Sequence, residues 1–595
     1  MKLRILIASA LTLAAIAIWP SPERATASRR AAPSDSTGLI VHEWGTFLAM
    51  NGSDGVSLDG MYHEEHALPS FVHARSKDQL HLPMSRVKGE TPVIYFYPRQ
   101  LSKVQVEVDF PTGLWTQWYP QATTVAPGIV QVSSPPQPRN GRISWSVLVR
   151  PPDMKHGEPP ATSSDALWNY ARDVDAGFVT TDRTQSTSPE EWERFIFYRG
   201  LGEAPLPVQM RFSDGRITAS TTERDGLHHL FVLRVENGRG AYTYTTALKP
   251  DSGFDQAVPA MDHALPLDQF VEQVSADVAS RLVASGLYKK EALAMVNTWK
   301  SSYFKTDGVR VLFVMPQSWT DRFIPMRITP APEQLVRVMV GRVELLDRDR
   351  ESRAEKAIGA LASSNPQVRE QAFDLLRSEG RYVEPIVRRT LQASTDEQVR
   401  TLARRLLLTD FVTELRTAFT DAATGERVST EPVYIQAQLA SLLREVGLTS
   451  EAKQEGESAL AQLATMRQPA MDDHLSRHMF RALARANEGA GHDAEALKWY
   501  GKFVEFGSQF QQPKMCAGCH TTMGPRDWSF FKDWYVGRKF GQYAVTTGEA
   551  PRLVATHETV LRATPDSRAS QLSLAYLYEA TGQNDKATEI WKMIR

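Results

Sequence analysis

Both cysteines of this 595-residue chain lie in one short run, Cys516-Ala517-Gly518-Cys519-His520. This is the Cys-x-x-Cys-His pattern of covalent c-type haem attachment. Two thiols three positions apart can each bond one vinyl group of the porphyrin, and the adjacent imidazole can coordinate the iron from one face. The small side chains of Ala517 and Gly518 allow the backbone to pass close to the macrocycle. The run predicts one haem c, anchored by Cys516 and Cys519, with His520 as the proximal iron ligand.

Three other uses of this cysteine pair remain open. A thioredoxin-like redox pair is normally set in a βαβ unit, whereas this pair lies in a region of helical periodicity. A structural zinc site needs four ligands and usually a second cysteine pair, and the chain has 2 cysteines in all. A local disulfide is compatible with export. Haem attachment is favoured because the N-terminus predicts export, and c-type haem is attached in an exported compartment.

The sequence offers several candidates for the second axial ligand of the iron. His557 occupies a repeat position that normally packs inward, so the folded array could bring its imidazole over the iron; a half-buried repeat residue is the alternative. Met523 follows His520 so closely that it would have to cross the haem edge. His474 and His478 lie four residues apart, on one helix face. A six-coordinate iron would favour electron transfer, and an open position would favour catalysis or gas binding.

A second group of candidate metal-ligating residues lies near the N-terminus. Histidines mixed with carboxylates are ligands for zinc, copper or iron. The group consists of His42, Glu43, Asp59, His63, Glu64, Glu65, His66, His73 and His81. The spacing from His63 to His66 is one residue shorter than in the His-Glu-x-x-His pattern of zinc proteases. Two interpretations follow: a second metal or substrate site built on His42, Glu43, His63 and His66, or surface histidines of an irregular loop.

The elements that would position these residues begin after an export signal. A basic start precedes an uncharged run from Ile5 to Trp19, and Ala25-Thr26-Ala27 forms a small-x-small cleavage site. This pattern is typical of a secretory signal peptide, and the run is shorter than the roughly 20 residues that a membrane-spanning helix needs. We expect removal of residues 1–27, a flexible leader at residues 28–38, and a periplasmic mature protein without a transmembrane segment.

Residues 39–346 have the pattern of a β-rich domain. Val104-Gln105-Val106-Glu107-Val108 alternates apolar and polar side chains, as a half-buried strand does. Similar short runs recur between stretches rich in proline, glycine and serine, which favours a sandwich-like or barrel-like arrangement. A helical interruption is predicted from Leu267 to about Tyr303, where apolar residues recur at intervals of three and four.

After about Arg348 the periodicity becomes helical. One pattern occurs twice, 31 residues apart, as Gln367-Val368-Arg369 with Ala372, Leu375 and Leu376, and as Gln398-Val399-Arg400 with Ala403, Leu406 and Leu407. This offset and pattern resemble HEAT-type repeats, in which one face of each helix packs on the next hairpin. We assign residues 347–412 to HEAT-like repeats; two unrelated amphipathic helices are the alternative.

The last part of the chain, residues 430–595, resembles tetratricopeptide repeats. That repeat places a large–small pair, an aromatic residue and a later alanine at fixed offsets over about 34 residues. Four units fit to differing extents, with their large–small pairs at Leu439-Ala440, Leu483-Ala484, Phe540-Gly541 and Leu574-Ala575. The step from Leu483 to Phe540 is 57 residues. The excess over one repeat predicts an insertion near residues 508–528, and this insertion carries the haem-attachment run.

Three blocks of the N-terminal domain carry a resemblance to a known family. They are His42-Glu43-Trp44-Gly45-Thr46-Phe47, Glu90-Thr91-Pro92-Val93-Ile94-Tyr95-Phe96-Tyr97, and the stretch from Arg322 to Gly341. Together they resemble a family of exported bacterial proteins that is marked by the His-Glu-Trp-Gly-Thr-Phe sequence, over about residues 39–346. That family is uncharacterised, so the resemblance implies a domain and no activity or catalytic residues.

Composition and missing motifs exclude several function classes. The 68 Lys and Arg residues balance 69 Asp and Glu residues, so the chain has no excess of positive charge with which to bind nucleic acid. The sequence contains no Gly-rich phosphate-binding loop, no dinucleotide fingerprint and no Gly-x-Ser-x-Gly elbow.

Taken together, the sequence predicts a multidomain β + α protein in which a β-rich, sandwich-like domain precedes an α-helical repeat solenoid with an inserted haem c. The predicted function is that of a periplasmic monohaem c-type protein in electron transfer. Its helical repeats would support the haem and dock a redox or other protein partner. The alternatives are a haem-dependent oxidoreductase whose His-rich N-terminal domain binds metal or substrate, and a protein-binding scaffold or haem-based sensor.

Overall fold

A computed structural model of the chain describes most residues between Gly38 and Ile594. Those from Gly38 onwards belong to one compact unit. The predicted signal peptide, the haem-attachment run at 516–520, and His63 and His66 lie outside the described residues. The described ranges are 38–61, 68–69, 71–74, 85–90, 92–126, 139–154, 157–164, 166–182, 190–423, 432–466, 474–508 and 528–594.

The described part of the N-terminal region is built mainly from strands. These are β1 (Leu39–Asn51), β2 (His73–Ala74), β3 (Val87–Gly89), β4 (Val93–Pro98), β5 (Ser102–Phe110), β6 (Gly113–Tyr119), β7 (Thr124–Ala126), β8 (Gly141–Arg150), β9 (Phe178–Thr181), β10 (Trp192–Glu193), β11 (Ile196–Gly202), β12 (Gln209–Ser213), β13 (Arg216–Ser220), β14 (Leu227–Glu236), β15 (Arg239–Leu248), β16 (Phe254–Ala257), β17 (Leu265–Pro266), β18 (Gly308–Val314), β19 (Met326–Thr329) and β20 (Gln334–Leu345). The helices of this region are α1 (Trp168–Arg172), α2 (Leu267–Ala284), α3 (Lys289–Trp299) and α4 (Gln317–Phe323).

The central feature of this region is an eleven-stranded mixed sheet. Its order is β17-β15-β14-β18-β20-β1-β3-β11-β6-β2, with β4 paired to β1 and β11. β1 and β20 run parallel, in register from Ile40 opposite Gln334 to Asn51 opposite Leu345. The first and last long strands of the region therefore pair with each other. A six-stranded sheet (β5, β7, β8, β9, β10 and β19) and a three-stranded sheet (β12, β13 and β16) complete the β structure.

The large sheet is covered on both faces. On one face Phe47 of β1 shares a core with Val106 of β5 and Trp145 of β8, from the six-stranded sheet. On the other face Trp44 of β1 shares a core with Val274 of α2 and other helix residues. The predicted helical interruption is observed as α2, α3 and a π-helical turn at Lys300–Phe304. Side chains alternate along a strand, so neighbouring residues of β1 enter different environments.

The C-terminal region is helical. Its helices are α5 (Arg348–Ala360), α6 (Pro366–Glu379), α7 (Glu384–Ala393), α8 (Glu397–Ala423), α9 (Pro432–Glu445), α10 (Thr449–Thr465), α11 (His474–Ala490), α12 (Asp493–Ser508), α13 (Trp528–Thr546), α14 (Ala550–Ala563), α15 (Arg568–Ala580) and α16 (Asn584–Met593). The prediction of a β-rich N-terminal region followed by a helical C-terminal region is confirmed. None of the described helices is both long and apolar enough to cross a membrane.

The large–small pairs of the sequence mark the first helix of each of four helix pairs, α9/α10, α11/α12, α13/α14 and α15/α16. At these positions the helices approach closely. A Cβ added to Gly541 of α13 would lie 2.4 Å from the carbonyl oxygen of Tyr576 of α15. Only a glycine fits there, because any side chain would push the two helices apart.

The HEAT-like segment matches its two-copy pattern in part. Ala372 and Leu376 of α6 share a core with Ala403 of α8, as the pattern predicts. Leu375 is exposed, however, and α8 continues through the predicted boundary at residue 412 to Ala423. This continuation follows from packing, because Val412 and other α8 residues form a core with α9.

Candidate functional site

The haem-attachment run lies between α12, which ends at Ser508, and α13, which begins at Trp528. The run itself, including Cys516, Cys519 and His520, lies outside the described residues. The two flanking helices pack on each other, with Phe503 of α12 and Phe540 of α13 in one core. The ends of the segment are therefore attached to a common packed unit.

A buried charge cluster ties α13 to helices earlier in the chain. The Nζ atom of Lys539 donates to Glu488 of α11 at 2.9 Å and lies 3.4 Å from Glu445 of α9. Glu488 also accepts hydrogen bonds from Ser441 at 2.8 Å and from Tyr500. Burial alone would raise the pKa of Glu488, but attraction to Lys539 and these hydrogen bonds outweigh it and hold that pKa below its ordinary value.

His557 lies on α14 with its imidazole half-buried. Its Nδ1 atom is 3.2 Å from the hydroxyl oxygen of Ser570 on α15. Burial lowers the pKa of His557 below its ordinary value, and the carboxylate of Glu505 on α12 opposes this in part. A neutral imidazole is the form that coordinates iron. Glu505 lies three residues before the end of α12, and the haem-attachment segment follows that helix in the chain. His557 therefore interacts electrostatically with the helix that precedes the segment.

Of the other axial candidates, only the side chain of His478 lies within the described residues. The Nδ1 atom of His478 is 3.1 Å from the guanidinium of Arg481, and its ring lies 6.3 Å from that of Tyr434. The side chain of His474 and the whole of Met523 lie outside the described residues.

His42 of β1 is fully buried on the helix-covered face of the large sheet. Its Nδ1 atom is 2.8 Å from the Oε2 atom of Glu291 on α3. Glu291 also accepts a hydrogen bond from the hydroxyl of Tyr97 at 2.6 Å and one from the backbone N–H of Tyr288 at 2.7 Å. The Tyr288 ring lies 4.4 Å from the His42 ring. The Nε2 atom of His42 is buried and has no hydrogen-bond partner among the described residues.

Glu43, the next residue of β1, faces the other side of the sheet. One of its oxygens accepts from the Nε atom of Arg337 at 2.6 Å, and the other accepts from the Tyr198 hydroxyl. Arg337 also forms an ion pair with Asp321, at 2.8 Å. Burial raises the pKa of Tyr198, and the Glu43 charge raises it further. The hydroxyl therefore stays protonated and donates to Glu43.

The structure thus does not bring His42 and Glu43 together at one ion. Consecutive strand residues point to opposite faces, so the predicted site that uses both is corrected to two separate contacts, a buried His42–Glu291 hydrogen bond and a buried Glu43–Arg337 ion pair. Among the described residues, no group of three or more His, Cys, Asp and Glu side chains is placed to hold a metal. His73 pairs with Glu191 at 2.9 Å.

A further buried cluster connects the large sheet with the first helices, and the sequence did not indicate it. Glu344 of β20 accepts from Arg342 at 2.8 Å and from the hydroxyl of Tyr382 at 2.8 Å. Arg310 of β18 donates to Glu344 at 3.2 Å. Tyr382 belongs to a 3-10 turn, Gly380–Val383, between α6 and α7. Burial would raise the pKa of Glu344, yet the two arginines and Tyr382 hold it below its ordinary value.

Two crystal structures are among the solved structures similar to this chain. Both are crystal structures of a putative kinesin light chain with nearly identical tetratricopeptide-like repeats from Podosopora anserina, and one is a substituted variant. Each is 21% identical, covers 37% of this chain and 94% of its own chain, and aligns with a TM-score of 0.20. No protein-family model and no curated protein sequence matches the chain.

Proposed function

We propose that this chain is an exported monohaem c-type protein that transfers single electrons. The observation that carries the proposal is the order of Cys516, Cys519 and His520. Two thiols and an adjacent imidazole are the donor set that covalent haem requires, so the residues present fit the group. When bound, the haem would supply an iron that changes reversibly by one electron.

The chain's own residues would hold the group and limit access to it. Cys516 and Cys519 would form the thioether bonds, and His520 would coordinate the iron on one face. His557, whose neutral form burial favours, is the candidate that would supply a second ligand to the iron. A filled second axial position excludes small ligands, and this favours electron transfer over catalysis.

Export and haem attachment support each other. Residues 1–27 have the pattern of a signal peptide, and c-type haem is attached after export. We therefore place the mature protein in the periplasm. A redox or other protein partner would dock on the helical repeats, which flank the attachment segment on both sides.

The test is expression of the full chain, with its own N-terminus, in a bacterial host that attaches c-type haem. We expect a mature N-terminus near Ser28, an intact mass increased by one haem, and a Soret band that shifts on reduction. A Cys516→Ser/Cys519→Ser variant should lose the covalent haem, whereas His478→Ala should keep it. Wild-type protein with no Soret band and no added mass would contradict the proposal.

A haem-dependent oxidoreductase is the second candidate, and the buried His42 favours it. A histidine that is held by a carboxylate at Nδ1 and has a buried Nε2 atom without a partner resembles the arrangement of metal-ligating or proton-transferring histidines. The described residues supply one donor there, fewer than the three of a catalytic metal site, so no metal step is derived.

Elemental analysis and carbon monoxide binding separate these functions. Iron alone, at one atom per chain, supports the electron carrier. A second metal at one per chain that is lost in His42→Ala supports the oxidoreductase. Reversible binding of carbon monoxide to the reduced wild type, without turnover, supports the haem-based sensor or scaffold.

A further inference from the structure

A groove of about 150 Å³ lies where α6, α8 and the α9–α10 turn meet. Its lining includes three arginines, Arg377, Arg405 and Arg416, and no carboxylate. Phe373, Val412 and Leu448 provide an apolar floor. We call this feature the arginine groove. It is separate from the haem-attachment segment in sequence, since all its lining residues precede α11.

The groove follows from the spacing of residues on two helices. Arg405, Thr409, Val412 and Arg416 recur at intervals of four, three and four along α8, which places them on one face. The hydroxyls of Thr409 and Thr413 donate to carbonyls of α8 itself, at 2.7 and 3.1 Å. Both threonines line the groove without adding a negative charge.

Two of the three guanidinium groups have no counter-ion within the described part of the chain. Arg416 pairs with Glu451 of α10. Arg405 lies over the ring of Phe373, 5.2 Å from its centroid, and it makes no ion pair with a described residue. Arg377 likewise makes none. By contrast Arg400 and Arg404, on neighbouring turns of α8, both pair with Glu397.

We propose that the arginine groove binds an acidic side chain within an extended peptide segment of a partner protein. Guanidinium groups bind carboxylates through paired hydrogen bonds, and an aromatic platform fixes the plane of the guanidinium. The apolar floor excludes water on one side, which strengthens the charge interaction and accommodates an apolar neighbour of the acidic residue. This inference concerns a partner surface and does not depend on the haem.

The size and charge of the groove favour a peptide over a nucleic acid. A nucleic acid backbone carries regularly spaced phosphates and needs a longer basic track. The groove of about 150 Å³ offers two guanidinium groups without a counter-ion among the described residues, because Arg416 pairs with Glu451, and the chain as a whole carries a net charge of -1. One acidic side chain with an apolar neighbour matches these dimensions better than a phosphodiester chain does.

Fluorescence anisotropy of the mature full-length protein tests the proposal. The probe is the fluorescein-labelled peptide Glu-Glu-Leu-Glu-Glu-Leu, and the comparison peptide carries Gln in place of each Glu. We expect the Arg377→Ala/Arg405→Ala variant to bind the probe at least about ten-fold more weakly, because two charge-assisted contacts are lost. The Gln peptide should show a similar loss on the wild type.

The matched control is Arg400→Ala/Arg404→Ala, which removes the same charge from α8 outside the groove. We expect it to change probe binding by less than about two-fold, since these arginines are already paired. Equal weakening by both double variants would overturn the proposal, because it would show general charge attraction. Absence of probe binding to the wild type would also overturn it. The proposal would also be overturned if a single-stranded oligonucleotide bound the wild type more tightly than the probe does and this binding were lost in Arg377→Ala/Arg405→Ala.

Discussion

The Nζ atom of Lys539 lies 2.9 Å from the Oε1 atom of Glu488, and the two side chains are only 6% and 2% exposed. The pair connects α13, which follows the haem-attachment segment, with α11, which lies before it. The position of α13 in the array therefore depends on a buried interaction of the chain itself. Breaking that interaction tests how firmly the downstream end of the segment is held.

Replacement of Lys539 by methionine should destabilise the helical region. Lys539→Met keeps most of the side-chain volume but leaves the buried carboxylates of Glu488 and Glu445 without their cation. Loss of one partner from a buried ion pair costs about 3–5 kcal/mol. We expect a decrease of that size in the free energy of unfolding, measured by urea titration and circular dichroism. The control is Lys498→Met at an exposed pair with Glu495, where the change should stay below about 1 kcal/mol. Equal effects of the two substitutions would contradict the prediction.

The same cluster predicts loss of stability in acid. The folded-state pKa of Glu488 lies below its ordinary value of 4.5, despite the opposing effect of burial, because Lys539, Tyr500 and Ser441 favour the charged form. A depressed folded-state pKa adds stability that is present above the unfolded value and is lost as the pH falls through the folded value. We therefore expect the melting temperature to fall below about pH 4.5. Glu488→Gln should be less stable at neutral pH and should show a shallower acid loss. If the melting temperature of Glu488→Gln fell with pH as it does in the wild type, Glu488 would be excluded as a source of the acid-induced loss of stability.

Tyr382 should couple the large sheet to the first helices. Its hydroxyl donates to Glu344 at 2.8 Å and accepts from Arg310 at 3.0 Å. Tyr382→Phe leaves both buried charges short of one hydrogen bond, which costs about 1–3 kcal/mol. We expect this loss in urea unfolding, together with faster limited proteolysis between β20 and α7. Tyr170→Phe, at a tyrosine that is 41% exposed, is the control and should change neither measurement. A double-mutant cycle with Glu344→Gln should give a coupling energy above about 0.5 kcal/mol, and additive effects would count against the contact.

The sequence predicted local patterns well and long-range partners poorly. The pairs Leu439-Ala440 and Leu574-Ala575 indicated helix pairs because helical packing repeats over short distances. The sequence grouped His42 and Glu43 in one candidate metal site, whereas these consecutive residues of β1 face opposite sides of the sheet. Glu291, the partner of His42, lies 249 residues away, and no local spacing could identify it. Arg337 reaches Glu43 only because β1 and β20 pair in parallel, and that pairing depends on the whole domain.

The last prediction concerns the second axial position of the haem, and it rests on the proposed function. His557 is half-buried and its neutral form is favoured, so its Nε2 atom can act as a ligand while Nδ1 lies next to the Ser570 hydroxyl. If His557 fills the position, His557→Ala should convert a low-spin ferric spectrum to a high-spin one and allow the reduced protein to bind carbon monoxide. The control is His492→Ala, at an exposed histidine before α12, which should leave the low-spin spectrum unchanged. A low-spin spectrum that persists in His557→Ala would exclude this residue as the ligand. Restoration of the low-spin form by added imidazole in His557→Ala would show that the lost group was the ligand, since a purely structural defect would not be rescued by a free donor.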